Sequence, residues 1–324
     1  MNELENYKHG KEQKKMQPTA LIYSSHNRCE YLHRSWIIER ALQSPTNKTI
    51  FHLSFSQGSL HNQEYDYGNF RWYYERFRQF GLHHSSFFWT EDLSREDVDF
   101  FFRKLWSSEV VVLGGGSSAL GLERYKRIGE LYYGDRDLFR KMLFERQNRG
   151  LLTVGFSAGA DQLCQYMCEA CTGRLDDPRG FGLARNVITT LHHEPARIGE
   201  IYELAGAFPE CMTFGLPNDS GIAVTQNYLW SGNTFQLIEF ITDNSWDKPE
   251  DQFHIKTRMG VKIDHIYNDG RHWAFNGGDR LLRCISPDGN RQEAVIITNQ
   301  GEMIDYWTQG PTSYSSIEDF ITRN

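Results

Sequence analysis

The segment Gly155-Phe156-Ser157-Ala158-Gly159 sets a serine among small residues where the apolar run 151–156 ends. A serine at a sharp strand-to-helix corner can present its hydroxyl as a nucleophile for acyl transfer, with small neighbours relieving the crowding of the turn. The backbone N–H of Ala158, at the start of the next helix, could then receive developing negative charge. The plainer alternative is a glycine-rich turn with a serine helix cap. A serine hydroxyl needs a base. His192 and His193 end the apolar run "NVITTL", and because strand neighbours alternate faces, one can face the serine while the other points away. An imidazole base needs an orienting acceptor, and Asn218 and Asp219 supply two in the turn "LPNDSG". The order serine, histidine, then Asn/Asp differs from the serine, acid, histidine order of α/β-hydrolases. Gly114, Gly115 and Gly116 close another apolar run, where backbone N–H groups can approach a substrate oxygen unobstructed.

Alternating apolar runs and amphipathic patterns must position these groups. Strands are predicted over 20–25, 49–55, 85–89, 110–115 and 151–156. Helices are predicted over 30–42, 64–82, 94–106 and 137–150. β-Branched runs, each followed by a helix, indicate buried parallel strands of an α/β sheet, whose sites lie beyond the strands' carboxyl ends. After about residue 210 the texture changes to strands joined by "NDG", "NGGD" and "PDGN", the signature of antiparallel hairpins. The expected organisation is a flexible tail (1–18), an α/β hydrolase domain (19–243) and a β-rich C-terminal extension (244–324).

The chain has 324 residues, a net charge of -7 and no dominant Lys/Arg run, which argues against a nucleic-acid partner. No stretch approaches the roughly 18 apolar residues of a membrane span. The polar N-terminus is not a secretory signal, so the expected compartment is the cytoplasm. The six cysteines are too scattered for a disulfide framework. Cys164, Cys168 and Cys171 have the spacing of an iron–sulfur motif, but they are expected on one apolar face of the helix leaving the serine corner, where cysteine is a small hydrophobe. "GGGSSA" lacks the second strand and acid of a dinucleotide site, and "HHEPAR" lacks the second histidine of a zinc helix, so no cofactor or metal is expected.

Taken together, "VVVLGGGSSAL", "VGFSAGADQ", "NVITTLHHEPAR" and "FGLPNDSGIAV" resemble the aspartyl dipeptidase (dipeptidase E) and cyanophycinase family of serine peptidases, within the class I glutamine amidotransferase-like superfamily. The resemblance covers roughly residues 105 to 235. It implies a flavodoxin-like three-layer sandwich with a mostly parallel sheet, Ser157 as nucleophile, His192 as base, and an oxyanion hole from Gly115, Gly116 and Ala158. It also implies cleavage of a peptide or isopeptide bond next to aspartate. Asp219, ahead of Asn218, is expected to orient the imidazole, where the family often has a glutamate. Thr190-Leu191 replaces the acidic-amide pair of cyanophycinases, which argues against cyanophycin as substrate. The segment from Ser117 to Asp137 is longer than in simpler members and reads as a lid or specificity insert. Arg197, five residues after His192, is the candidate to grip an acidic substrate group, with Ser117 as a second substrate contact. The expected partner is a small peptide; a homodimer is left open. Two rival readings are a non-catalytic binding module of this fold and an amide hydrolase with a non-aspartyl substrate.

Overall fold

The computed structural model describes residues 17–24, 30–168, 177–242 and 261–324. Its centre is built from the β-branched and aromatic runs. β1 (Ala20–Tyr23), β2 (Thr49–Leu53), β3 (His83–Phe87), β4 (Val110–Leu113) and β5 (Leu152–Phe156) run parallel in the order β1-β5-β4-β2-β3. Both faces of β1, β2, β4 and β5 are buried because helices cover each side, whereas the edge strand β3 is largely half-buried. On one face, Leu21, Val112 and Val154 pack against Phe70 and Tyr74 of α3 (Leu60–Glu75). Beside α3 lie α1 (Glu30–Leu32) and α2 (Glu39–Gln43), joined by a π-helical turn over His33–Ile38.

On the other face, Ile22, Phe51, Val111 and Leu113 meet Phe101 of α4 (Arg95–Ser107), Tyr125 of α5 (Ser118–Tyr133) and Phe139 of α6 (Leu138–Asn148). The start of α4 is written locally: Ser94 and Asp97 form a reciprocal capping box. The lid or insert expected between Ser117 and Asp137 is instead α5, a core helix with Tyr125 and Ile128 fully buried. The α/β class and its mostly parallel central sheet match the sequence reading.

The sheet continues beyond β1 with antiparallel strands. β8 (Ser220–Tyr228) pairs with β1, followed outward by β9 (Thr234–Thr242), β12 (Arg280–Ile285), β13 (Gln292–Ile297) and β14 (Met303–Asp305), giving ten strands in one sheet among the described residues. Phe320 of α9 (Ile317–Arg323) packs on this outer part. A second sheet, in the order β11-β10-β7-β6, was not expected. It contains β6 (Val187–Leu191), β7 (Met212–Leu216), β10 (Ile263–Ile266) and β11 (His272–Phe275). Its Val187, Phe214 and Phe275 share the core of the main sheet, and Phe275 stacks on Phe240 at 3.9 Å between ring centroids. The run "NVITTL" is therefore not a strand of the main sheet, because its apolar face packs over that sheet. α8 (Ile198–Ala207) follows β6 and covers the second sheet.

α7 (Ala158–Leu163) is short. Cys164 is already extended and bridges to Ala184, so the single helical face of cysteines expected after the corner does not form; Cys171 lies outside the described residues. Of the expected tail 1–18, only residues 17 and 18 are described.

His265 of β10 makes the fold sensitive to acid. It is fully buried, with Nδ1 2.8 Å from the Thr213 carbonyl oxygen and Nε2 2.8 Å from the Tyr306 hydroxyl. Those partners assign the neutral tautomer in which Nδ1–H donates and Nε2 accepts. Burial, reinforced by Arg283, pushes its pKa down to about 3, whereas an unfolded imidazole titrates near about 6.5. Below that value the unfolded chain takes up a proton that the folded chain refuses, so stability falls as pH drops from about 6.5 toward 3. The thermal midpoint should decline over this range, and His265→Gln, which cannot titrate, should flatten the decline. An unchanged slope in the variant would assign the titration to another group.

Candidate active site

Ser157 stands between β5 and α7 with φ 48° and ψ -119°, a conformation that L residues rarely adopt. The neighbouring glycines make the corner feasible. A Cβ on Gly155 would lie 2.3 Å from the Gly159 carbonyl oxygen, and one on Gly159 would lie 2.2 Å from the Leu113 carbonyl oxygen. The corner is pinned on both sides: Ser157 N–H donates to the Tyr23 carbonyl at 3.1 Å, and Gly159 N–H to the Gly114 carbonyl at 3.1 Å.

His192 follows β6 and reaches Ser157 from the second sheet. Its Nε2 is 3.2 Å from Ser157 Oγ, and its Nδ1 is 2.6 Å from Asn218 Oδ1. Since Asn218 Oδ1 can only accept, Nδ1 carries the proton and Nε2 is left to accept from the serine hydroxyl. The backbone of His192 has φ 52° and is held at both ends. Its N–H donates to Ser24 Oγ at 2.7 Å, and its carbonyl accepts from Arg197 Nη1 at 3.0 Å. Sequence reasoning missed Ser24, which directly follows β1 and carries no local signal of this role.

The expected preference for Asp219 over Asn218 does not match the geometry. It is Asn218 that the fold brings to Nδ1, while the next residue, Asp219, turns to φ 65° and is largely buried. His193 points away from Ser157, although both histidines lie beyond the end of β6 and His192 is left-handed, so the divergence comes from that turn and not from strand alternation. Its ring is buried, and its Nε2 lies 3.2 Å from Asp264 Oδ2, whose other oxygen lies 3.0 Å from His272 Nε2. The His193 contact is the main influence holding the Asp264 carboxyl below the usual carboxylate range.

Gly115 packs beside the serine, since a Cβ on it would meet Ser157 Cβ at 3.4 Å. Gly116 has φ 130° and sits so close to loop 54–58 that a Cβ would lie 2.2 Å from the Ser56 carbonyl oxygen. Ser117 is exposed and caps α5, its Oγ accepting from Leu120 N–H at 3.3 Å.

Arg197 is not poised for a substrate. Its Nε and Nη2 donate to the two oxygens of Glu200 at 2.8 and 2.7 Å, and its Nη1 donates to the Leu191 and His192 carbonyls. The Glu200 hydrogen bond raises its pKa further. The guanidinium fork that would grip a carboxylate is already filled, so the residue braces the chain at His192. Arg197→Lys, which cannot reproduce that fork, should lower turnover about equally for acidic and neutral peptides. A loss confined to the KM of acidic peptides would return Arg197 to substrate recognition.

Among the described residues, no group of three or more His, Cys, Asp or Glu side chains is arranged to hold a metal ion, and no helix is long and apolar enough to cross a membrane.

The site is a serine on a strained strand-to-helix corner, facing a histidine, within a central parallel α/β sheet. No family model matches the chain. In sequence it is 29% identical over 129 residues to Peptidase E of Salmonella arizonae, a match that spans 36% of this chain and 52% of that protein. The chain thus matches only about half the length of this curated relative. In structure it is similar to a peptidase from an acI-B1 Actinobacterium, with a TM-score of 0.51 and 12% identity over 84% of this chain and 98% of the other. The segment matched is similar to Peptidase E, in agreement with the resemblance read from the motifs of the chain.

Proposed function

We propose that this protein is a serine-type peptidase acting on small peptides. The observation that carries the reading is Ser157 Oγ at 3.2 Å from His192 Nε2 on a backbone held at φ 48°. Strain of this kind persists only where the surroundings enforce it, and here it aims a hydroxyl at a base. Ser157 attacks the scissile carbonyl carbon while its proton passes to His192 Nε2. Asn218 keeps the proton on Nδ1, so that Nε2 is the accepting nitrogen. The backbone N–H groups of Ala158 and of the Gly115–Gly116 loop receive the oxyanion. The tetrahedral intermediate collapses as His192 returns the proton to the leaving amine. Water then repeats the sequence on the acyl-enzyme.

Cleavage next to aspartate is the specificity we assign, on the resemblance to the aspartyl dipeptidase family; Arg197 contributes nothing to it. Two measurements test the proposal. A fluorophosphonate probe should label Ser157, because labelling needs an activated serine. In a dipeptide panel, Asp-X substrates should be hydrolysed in preference to Asn-X. A protein that resists the probe and hydrolyses no peptide is a binding module of this fold; one that is labelled but indifferent to aspartate keeps the chemistry and loses the specificity.

A further inference from the structure

This inference rests on Ser157 being the nucleophile, and concerns what aims the oxyanion hole. Loop 54–58, after β2, and loop 114–117, after β4, emerge side by side because β2 and β4 pair. They are joined by Gly114 N–H donating to the Leu53 carbonyl at 2.8 Å and Ser117 N–H donating to the Ser56 carbonyl at 2.9 Å. Between these two bonds, Gln57 Nε2 donates to the Gly115 carbonyl at 2.9 Å. Gln57 is itself anchored. Its N–H bonds the Ser54 carbonyl at 3.0 Å, and its own carbonyl accepts from Arg124 Nη1 at 2.5 Å. Arg124 stands on α5 and also bonds the Phe55 carbonyl at 2.8 Å.

A trans peptide is a rigid plane whose C=O and N–H point in opposite directions. Fixing the Gly115 carbonyl on Gln57 therefore turns the Gly116 N–H away from Gln57. A peptide between two glycines rotates easily unless something outside it holds it. We propose that Gln57 is a positioning residue whose side-chain amide keeps the Gly116 N–H aimed at the oxyanion formed on Ser157.

The experiment is the rate of fluorophosphonate labelling of Ser157 in the full chain. Ser157 Oγ bonds to phosphorus, fluoride leaves, His192 takes the proton, and the phosphoryl oxygen occupies the oxyanion hole. Gln57→Glu preserves the shape but sets an acceptor against the Gly115 carbonyl; Gln57→Leu removes the donor without adding repulsion. Both should label about 10- to 100-fold more slowly than wild type, somewhat less than the loss of a whole oxyanion donor. Gln57→Glu should be at least as slow as Gln57→Leu. The thermal midpoint and the pH midpoint of labelling should stay at wild-type values. Wild-type labelling by Gln57→Glu would show that only shape matters and overturn the proposal. So would a shifted pH midpoint, which would place the effect on His192. If wild type itself goes unlabelled, the reading of Ser157 as nucleophile falls, and this inference with it.

Discussion

Ser157→Ala is expected to abolish peptide hydrolysis and fluorophosphonate labelling, while the protein remains folded. In a serine protease, losing the nucleophile costs about 10⁶ in kcat, which puts the variant at the assay background. The fold should tolerate the change because alanine takes the same φ of 48° with no more strain than serine. Moreover, the bonds that hold the corner, from Ser157 N–H to Tyr23 and from Gly159 N–H to Gly114, are main-chain bonds. Activity with purified substrate and a thermal melt, measured on one preparation, decide the matter. A folded variant that keeps more than a tenth of wild-type turnover has its nucleophile elsewhere.

The second large effect separates two adjacent histidines. His192→Ala should lose activity about as completely as Ser157→Ala, since nucleophile and base act as a unit. The residue is exposed, so stability should change little. His193→Ala should do the reverse. It empties a buried site against Gly215 and strips Asp264 of a partner, at a cost of about 2–4 kcal/mol. Its turnover per folded molecule should stay within about tenfold of wild type, far short of the loss expected for a missing base. Reversal of this pattern would make His193 the base.

The parts of the site legible in the sequence were those in which residue type alone carries the constraint. Gly155 and Gly159 announce the corner because any side chain there would strike backbone. That only one of His192 and His193 faces the serine was expected from alternation along a strand, but the structure achieves it with a left-handed turn at His192, just past the end of β6. What could not be read depends on packing between distant segments. The second sheet that delivers His192 arises from a sheet-on-sheet contact that periodicity does not encode. The choice between Asn218 and Asp219 turns on backbone torsions inside one short turn. The bond from Gln57 to Gly115 exists only because β2 and β4 are neighbours. Arg197 did carry a signal, since Glu200 lies three residues on and such spacing pairs charges on a helix.

The position of β1 has a consequence for synthesis. This strand leaves the ribosome well before its two neighbours in the sheet, which are β5, through Ala20 beside Thr153, and β8, through Ala20 beside Val224. It also carries the Tyr23 carbonyl that holds Ser157, and the residue after it, Ser24, supplies the hydroxyl that holds His192. Until β8 has been translated, β1 lacks one wall of its slot, and the active site lacks the strand that ties its two halves together. Closing such long loops is slow, and an unpaired apolar strand exposed meanwhile invites aggregation. A nascent chain released before residue 224 should therefore be the form that chaperones bind, and fluorophosphonate labelling of Ser157 should not appear before β8 has emerged.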